Sequence, residues 1–272
     1  MKLIRAVLAG LLTAVATSGQ ASEIALRIEA FVKPAMPPEL FVLLTNDGDE
    51  GARELAVEAA LEGQRVCVSN VPGLAAGETV RLELPLRGVA PYESGVRHAV
   101  VKVRYHDANG YPFSSVYVTP FLADGGGLLE EPVAVAAADT TIAATGTWRI
   151  TALALEEGVS GVQARVVLPD ELAAAVPEGE LALSTEECTV LPVPIRNLSA
   201  LAGSRYAVFV VLEGSWQGRP FSTVAQATLT IAQTVAAVPQ YRGWMALAAV
   251  LGAAFLAAQF RRLPRGCSHG LE

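Results

Sequence analysis

Apolar and polar residues alternate with a period of two through most of the chain between residues 23 and 231. Val80, Leu82 and Leu84 share one face of a segment whose other face carries Arg81 and Glu83. Because successive side chains of a β-strand point to opposite sides of a sheet, this alternation predicts half-buried strands. The interior of the chain is therefore predicted to be all-β.

The pattern predicts eleven strands. They are Glu23–Phe31, Leu40–Thr45, Glu54–Leu61, Thr79–Leu86, Arg97–Tyr105, Tyr111–Phe121, Thr147–Glu156, Val162–Pro169, Thr189–Ile195, Arg205–Glu213 and Arg219–Ile231. Helical patterns are weak between them, and only Asp170–Val176 offers a single helical turn. About six or seven short strands per hundred residues are typical of a sandwich, so we predict two tandem immunoglobulin-like β-sandwich domains.

An internal repeat supports two similar domains. Residues 97–116 align without gaps on residues 205–224, and nine of the 20 aligned pairs are identical. Chance gives about one or two identities over this length, so duplication of one sandwich unit is predicted. Each copy has the pattern of a β-hairpin whose return strand begins with Pro-Phe-Ser. Upstream, residues 85–87 parallel residues 194–196 at an offset of 109 instead of 108.

Composition marks the boundary between the two copies. Asp124 is followed by three glycines, and Glu130-Glu131-Pro132 extends the break in the pattern. Consecutive glycines gain little from any single conformation, so residues 124–138 are predicted to form a flexible linker. The sandwiches are then expected over residues 22–123 and 139–235, in line and hinged once.

The N-terminus has the pattern of a secretory signal peptide. Lys2 and Arg5 precede an apolar run of 11 residues, Ala6 to Ala16, which is followed by small residues. Such a run is too short to span a bilayer but fits the apolar region of a signal peptide. Removal of the first 21 residues, by cleavage between Ala21 and Ser22, is predicted, and the mature chain is expected to be exported.

A second apolar segment lies near the C-terminus. The 17 residues that begin at Trp244 carry no charge, and as a helix they would span about 26 Å. Three arginines follow the segment, namely Arg261, Arg262 and Arg265. This bias predicts a transmembrane helix over residues 242–260 and a basic cytoplasmic tail over residues 261–272. The expected location is the bacterial inner membrane, with the bulk of the chain periplasmic or extracytoplasmic.

Two further features concern the same segment. Ala249, Ala253 and Ala257 place small residues on one helix face, which could support a homo-oligomer in the membrane, although the high Ala content of the chain is the plainer explanation. Pro239, Trp244 and the arginines resemble the C-terminal sorting signals of bacterial exosortase substrates, but the Thr-Leu pair of those signals is absent. In that alternative, the helix is removed on export and the chain is a sorted surface protein.

Charge and residue types exclude several functions. The chain has 20 basic and 27 acidic residues, and the part between the two membrane-directed segments has 14 and 26. Nucleic-acid binding needs a basic face that releases counterions, so no nucleic-acid partner is expected. The sequence contains no recognisable combination of acid, base and nucleophile, and we expect neither an enzyme nor a cofactor.

The cysteines do not suggest a disulfide framework or a metal site. Cys67 and Cys188 lie one in each predicted domain. They are expected to pack as small buried apolar residues, with a bridge between them as the less favoured alternative. Cys267 and His269 supply only two ligands, which cannot fill a zinc shell. No metal site is expected.

Two acidic turns and two histidines also have plain explanations. Residues 46–50 gather three carboxylates, but a calcium loop spaces its ligands more widely, so a solvated hairpin turn is predicted. Residues 107–110 keep only their glycine in the repeat, which also predicts a turn. His98 and His106 share a strand face with Lys102, so solvent exposure is expected.

The second domain offers one candidate contact surface. Trp216 is predicted at a hairpin tip, and the strand that contains Tyr206, Val208 and Val210 is apolar on both faces. Exposed aromatic and apolar residues mark protein contact surfaces. We therefore predict a partner contact through this face. The alternative is that another strand or the joint between the domains covers it.

With these features in place, the chain resembles the CARDB and NEW3 group of bacterial immunoglobulin-like domains. The resemblance rests on the strand that ends in Asn46-Asp47-Gly48, on the turn Gly77-Glu78-Thr79-Val80, and on the long strand from Val96. It covers residues 23–123 and is weaker over residues 140–233, where Glu156-Glu157-Gly158 replaces the first turn. The family implies an extracytoplasmic spacer, adhesion or accessory module, whose partner would be a protein or a surface polymer.

Overall fold

The computed structural model describes residues 24–33, 39–61, 64–85, 95–122, 131–176 and 178–233, and these residues are all-β. The predicted signal peptide, transmembrane helix and basic tail lie outside them. The same holds for the residues assigned to cleavage and topology, which are Ala21, Ser22, Arg261, Arg262 and Arg265. In the part of the chain that the structure describes, no helix has the length and apolar character needed to cross a membrane.

The first seven strands form one β-sandwich. They are β1 (Leu26–Lys33), β2 (Glu39–Asn46), β3 (Arg53–Leu61), β4 (Gln64–Val71), β5 (Thr79–Pro85), β6 (Val96–His106) and β7 (Pro112–Leu122). One sheet has the order β1-β2-β5 and the other has the order β4-β3-β6-β7, with every described pair antiparallel. Strands β1 and β7 each lie at an edge of their sheet.

The remaining nine described strands form the second β-sandwich. They are β8 (Val133–Ala137), β9 (Thr140–Ile142), β10 (Thr145–Ala154), β11 (Val159–Val167), β12 (Leu172–Ala174), β13 (Glu178–Leu181), β14 (Thr189–Asn197), β15 (Arg205–Trp216) and β16 (Arg219–Ile231). The two sheets have the orders β12-β14-β10-β8 and β13-β11-β15-β16-β9. Strand β9 runs parallel to β16, and the other described pairs are antiparallel.

Each sandwich has its own apolar core. In the first, Val42 of β2 and Val101 of β6 are completely buried. In the second, Trp148 of β10 and Val208 of β15 are completely buried, and the Trp148 indole donates a hydrogen bond of 3.0 Å to the carbonyl of Ala138. The alternation found in the sequence therefore places apolar residues inward in both domains, as a sandwich requires.

Both copies of the internal repeat form hairpins, but their registers differ by one residue. The turn between β6 and β7 spans residues 107–111, whereas β15 and β16 are joined by Gln217 and Gly218 alone. Both turn residues have left-handed backbone angles, with φ of 52° and 77°, as a two-residue hairpin turn requires. The return strands match at an offset of 108, and the outgoing strands match structurally at 109. The gap-free alignment is therefore one residue out of register before the turn.

All eleven predicted strands are present, with ends that differ by a few residues, but three sequence predictions need correction. The predicted linker is wrong in part, because Val133–Ala137 pair with β10 as strand β8; residues 124–130 lie outside the described residues. The predicted helical turn at Asp170–Val176 is wrong, because Leu172–Ala174 pair with β14. Strands β4, β8, β9, β12 and β13 were missed; three of them have only three or four residues, too few to show a period.

Candidate functional site

The two sandwiches pack against each other through the two repeated hairpins, β6–β7 and β15–β16. Val116 and Val118 of β7 form a buried cluster with Phe209 and Val211 of β15. The Phe209 ring stands edge-on to Tyr117, with 6.0 Å between the ring centroids. Burial of side chains this large contributes about 1.5–3 kcal/mol each. We call this contact the interdomain face.

A buried carboxylate crosses the interdomain face beside this cluster. Glu171 is 3% exposed, and its carboxylate accepts hydrogen bonds of 2.6 Å from both the backbone N–H and the hydroxyl of Ser114. Burial raises the pKa of Glu171, and the two bonds from Ser114 oppose that change. The Ser114 hydroxyl also accepts the backbone N–H of Asp170 at 2.7 Å. One serine of the first sandwich thus satisfies two consecutive residues of the second.

An ion-pair network lies next to Glu171, nearer to solvent. The Asp170 carboxylate accepts Lys102 Nζ at 2.7 Å and Arg104 Nε at 2.5 Å, and Arg104 also binds Glu58 at 2.9 Å. Burial opposes ionisation of Asp170, but its two cationic partners outweigh that effect and lower its pKa. Because these groups are partly exposed, solvent screens the pairs, and they contribute less than the buried contact at Ser114.

A histidine occupies the equivalent position on the other hairpin. His98 of β6 is 7% exposed, and its Nδ1 lies 3.1 Å from the hydroxyl of Ser222 and 3.3 Å from the carboxylate of Glu213. Burial lowers the pKa of the imidazole, while Glu213 opposes the change and Arg165 adds to it. The predicted solvent exposure of His98 is wrong, because the face it shares with Lys102 is covered by the second sandwich.

The two interface serines are partners in the internal repeat. Ser114 and Ser222 align at the same offset of 108, and both lie on the return strands, whose registers agree. Each contacts a titratable group of the other sandwich, Glu171 in one case and His98 in the other. The interdomain face is therefore approximately two-fold symmetric, as expected when duplicated hairpins pack on each other.

A cavity of about 510 Å³ opens where the edge of the first sandwich meets the second. Its wall in the first sandwich consists of residues 24–29 of and before β1, Asp47, Tyr105 and residues 114–117 of β7. Its wall in the second consists of Pro169, residues 205–207, Phe209 and Gln226. We call this cavity the interdomain cleft.

The residues predicted to contact a partner lie elsewhere than expected. Tyr206, Val208 and Val210 are at most 7% exposed and belong to the core of the second sandwich. The opposite face of the same strand, which includes Phe209, packs on the first sandwich. The prediction of an exposed apolar surface is therefore wrong, and the alternative, that the joint between the domains covers this face, is correct.

Trp216 is also less exposed than predicted. Its ring is half-buried against the edge of the second core, and its indole N–H donates to the carbonyl of Glu157 at 3.2 Å. The reason is that β15 and β16 pair up to Trp216 and Arg219, so the ring lies over the neighbouring strand instead of projecting from the tip.

The two acidic loops are turns held by their own side chains. Asn46 is completely buried, and its amide bonds the carbonyls of Glu50 and Leu74 while its oxygen accepts the N–H of Gly48. Asp107 accepts the N–H groups of Asn109 and Tyr111, and these bonds lower the Asp107 pKa. Both predictions of a turn are confirmed. Within the described residues, no group of three or more metal-binding side chains occurs.

Cys188 differs from its prediction, and His106 agrees with its own only in part. Cys188 is exposed and free, because the acidic segment before β14 does not enter the core. The expectation that it packs as a buried apolar residue is wrong. His106 is half-buried, with Nδ1 3.3 Å from the carboxylate of Glu54. The sequence signal for the interdomain face lay in β15, whose two apolar faces need two different partners.

Comparisons with known proteins show distant similarity only. No protein-family model matches the chain, and no curated protein matches it. Similar solved structures include red sea bream transglutaminase (14% identity, 75% of this chain and 31% of that chain, TM-score 0.24). They also include a Salmonella α2-macroglobulin mutant (11%, 76% and 16%, TM-score 0.31) and the YadV chaperone (13%, 69% and 91%, TM-score 0.25). The chain spans less than a third of the length of the first two structures named.

Proposed function

We propose that the chain is a non-catalytic, membrane-anchored extracytoplasmic module of the bacterial cell envelope. In this role, two immunoglobulin-like sandwiches of the CARDB and NEW3 type stand between an exported N-terminus and a C-terminal transmembrane helix. The module acts as a scaffold or accessory subunit that presents its surfaces to a protein partner or a surface polymer.

The observation that carries this proposal is the interdomain face. A spacer that must hold a partner at a fixed geometry needs domains that do not move freely against each other. The buried cluster around Phe209, the Ser114–Glu171 contact and the Ser222–His98 contact join the sandwiches into one body. A pair of domains joined only by a linker would lack this property.

The sequence supports the anchored topology of the proposal. The signal-peptide pattern that ends at Ala21 and the arginines after residue 260 give consistent orientations. The alternative of a sorted surface protein uses the same body and differs only in the fate of the C-terminal segment. Pro239 and Trp244 favour it, because their spacing and the arginine cluster resemble an exosortase signal.

The test is a gentle detergent pull-down of the full chain from native membranes, read by intact-mass and peptide mass spectrometry. The proposal predicts a stoichiometric partner together with an intact C-terminus that includes Arg261 to Glu272. Mature protein whose peptides end before Trp244, without a membrane partner, would replace the proposal with the sorted surface protein. A purified enzyme activity that depends on residues of the interdomain cleft would contradict both.

A further inference from the structure

The interdomain cleft runs along the free edge of β1. Residues 24–29 line the cleft without interruption, which means that side chains from both faces of this strand border it. A strand does this when its edge, rather than one face, is turned toward the cavity. Among the described residues, β1 pairs only with β2, so its other edge has no strand partner.

The hydrogen bonds of β1 show which backbone groups point into the cleft. The N–H of Asp47 donates to the carbonyl of Ala25 at 2.8 Å, so Ala25 points toward β2. Backbone direction alternates along an antiparallel strand, and therefore the N–H and C=O of Leu26 and Ile28 point away from β2. Exposed groups of this kind form a template on which another strand can pair.

The opposite wall of the cleft is also a strand edge. The N–H of Ser114 points away from β6, since it donates to Glu171, and by alternation Val116 has the same direction. Pro112 and Pro120 occupy two other outward positions of β7, where a missing N–H disrupts no ladder. The edge of β7 is thus closed by proline near both ends and unblocked between them.

The side chains of the cleft offer hydrogen-bond donors without acceptors. Both acidic residues of the lining, Glu29 and Asp47, are bonded to Arg27 at 2.7 and 2.8 Å. Arg205 lines the cleft and has no ionic partner within the described residues. The Tyr206 hydroxyl is buried and, in the same part of the chain, makes no hydrogen bond. A buried donor of this kind favours a ligand that supplies an acceptor.

We propose that the interdomain cleft binds an extended peptide segment of a partner protein, which adds to the edge of β1 as a further strand. An acidic side chain of the segment pairs with Arg205 and accepts the hydroxyl of Tyr206. The backbone of Leu26 and Ile28 supplies the main-chain hydrogen bonds, as in other complexes formed by strand addition. This inference deepens the proposed function, because it gives the chemistry and the place of a protein partner.

A second copy of the chain fits the cleft less well than such a segment. Pairing β1 with another β1 would bring Arg27, Glu29 and Asp47 of each copy together, and these groups are already paired with one another. It would leave Arg205 and Tyr206 without an acceptor. The wall of six consecutive residues has a length of about 20 Å, which suits a segment of similar length from another protein.

The test uses full-length protein in mild detergent and fluorescent nine-residue peptides in which Val and Thr alternate around one central residue. The central residue is Asp, Asn or Lys, and one Asp peptide carries N-methyl groups on alternate residues. Fluorescence anisotropy gives each Kd. We expect the Asp peptide to bind at least tenfold more tightly than the Lys peptide, and the N-methyl peptide to lose at least tenfold.

Two pairs of variants separate the contacts. Arg205→Gln should abolish the preference for Asp over Asn, whereas Arg196→Gln, an exposed arginine outside the cleft, should leave it unchanged. Leu26→Pro removes an outward N–H and should weaken binding about tenfold, whereas Leu26→Ala keeps that N–H and should not. Equal thermal unfolding midpoints of the two Leu26 variants exclude misfolding as the cause; unequal midpoints transfer this test to the N-methyl peptide.

Several results would overturn the inference. These are the absence of binding by every peptide at millimolar concentration, equal binding by the Asp and Lys peptides, and dimerisation through β1 in place of peptide binding. The inference can fail while the proposed function stands: in that case the native pull-down would still capture a partner with both Arg205→Gln and Leu26→Pro. If the pull-down itself yields no partner and a shortened chain, the proposed function has failed instead.

Discussion

The two serines of the internal repeat provide a matched test of the interdomain face. Ser114 and Ser222 are 3% and 6% exposed, occupy equivalent positions on the return strands, and each contacts the other sandwich. They differ in the partner: Ser114 donates to the carboxylate of Glu171, whereas Ser222 meets the imidazole of His98, whose lowered pKa keeps it neutral at pH 7. Substitution of either serine by Ala removes one hydroxyl and almost no volume.

The structure gives different magnitudes for the two substitutions. A hydrogen bond to a charged group contributes about 1.5–3 kcal/mol, and Ser114→Ala also leaves the backbone N–H of Asp170 without its acceptor. We therefore expect Ser114→Ala to lower the free energy of unfolding by about 3 kcal/mol. Ser222→Ala removes one bond to a neutral group and should cost about 1 kcal/mol.

The assay is guanidinium unfolding of the full-length protein in mild detergent at pH 7, followed by the fluorescence of the buried Trp148. Thermal midpoints should fall by about 6–12 °C for Ser114→Ala and by about 2–4 °C for Ser222→Ala, given the size of the folded unit. In the Glu171→Gln background, Ser114→Ala should cost only about 1 kcal/mol, because the charge is gone.

Two results would refute this reasoning. If Ser114→Ala and Ser222→Ala cost the same within about 0.5 kcal/mol, the carboxylate is not the source of the difference. If Ser114→Ala costs the same in the wild-type protein and in the Glu171→Gln background, the two residues are not coupled across the interface, and the sandwiches are held by the apolar cluster alone.

Three further predictions concern the same interface. Stability should fall as the pH drops below 6.5, because burial lowers the His98 pKa and the unfolded chain then binds the extra proton; His98→Asn should lack this component in pH-dependent unfolding curves, and an unchanged curve would exclude His98. Phe209→Ala should cost about 3–5 kcal/mol by denaturant titration, since the ring is 3% exposed; a cost below about 1 kcal/mol would contradict its burial. Gly95→Ala should increase protease cleavage between the sandwiches, because its Cβ would overlap the Pro220 carbonyl; cleavage at the wild-type rate would show that no close approach exists.

The sequence predicts the strands well because their signal is local. Alternation in segments such as the one around Leu82 depends only on which side chains face a core, and this suffices to place each of the eleven predicted strands. Strands as short as β12 carry too few residues for a period, and Leu172–Ala174 were therefore read as a helical turn. Strand β8 was hidden for another reason, since Val133–Ala137 follow a glycine-rich segment that dominates the local composition.

The candidate site could not be predicted because it depends on contacts between distant residues. Ser114 and Glu171 are 57 positions apart, and His98 and Ser222 are 124 apart. Nothing near His98 in the sequence shows that the second sandwich covers it. The two apolar faces of β15 did contain the information, because one strand in a two-layer domain needs only one apolar face. That pattern predicts a second packing partner but does not identify it.

The interdomain cleft was beyond sequence reasoning for a similar reason. It depends on which edge of β1 is left unpaired and on where Arg205 lies relative to that edge. Neither follows from a periodic pattern, because strand order within a sheet is set by the whole topology. Arg205 was noted only as part of the repeat, where its partner is Arg97.

The measurement that tests the central claim most directly is the accessibility of the native cysteines to a membrane-impermeant maleimide in intact spheroplasts. Cys188 is exposed on the second sandwich, and Cys267 lies in the tail that is predicted to be cytoplasmic. Peptide mass spectrometry of the full-length protein reads the two sites separately. The account predicts that Cys188 reacts in spheroplasts and that Cys267 reacts only after lysis. Labelling of Cys267 before lysis, or protection of Cys188, would contradict an extracytoplasmic module with a cytoplasmic C-terminus.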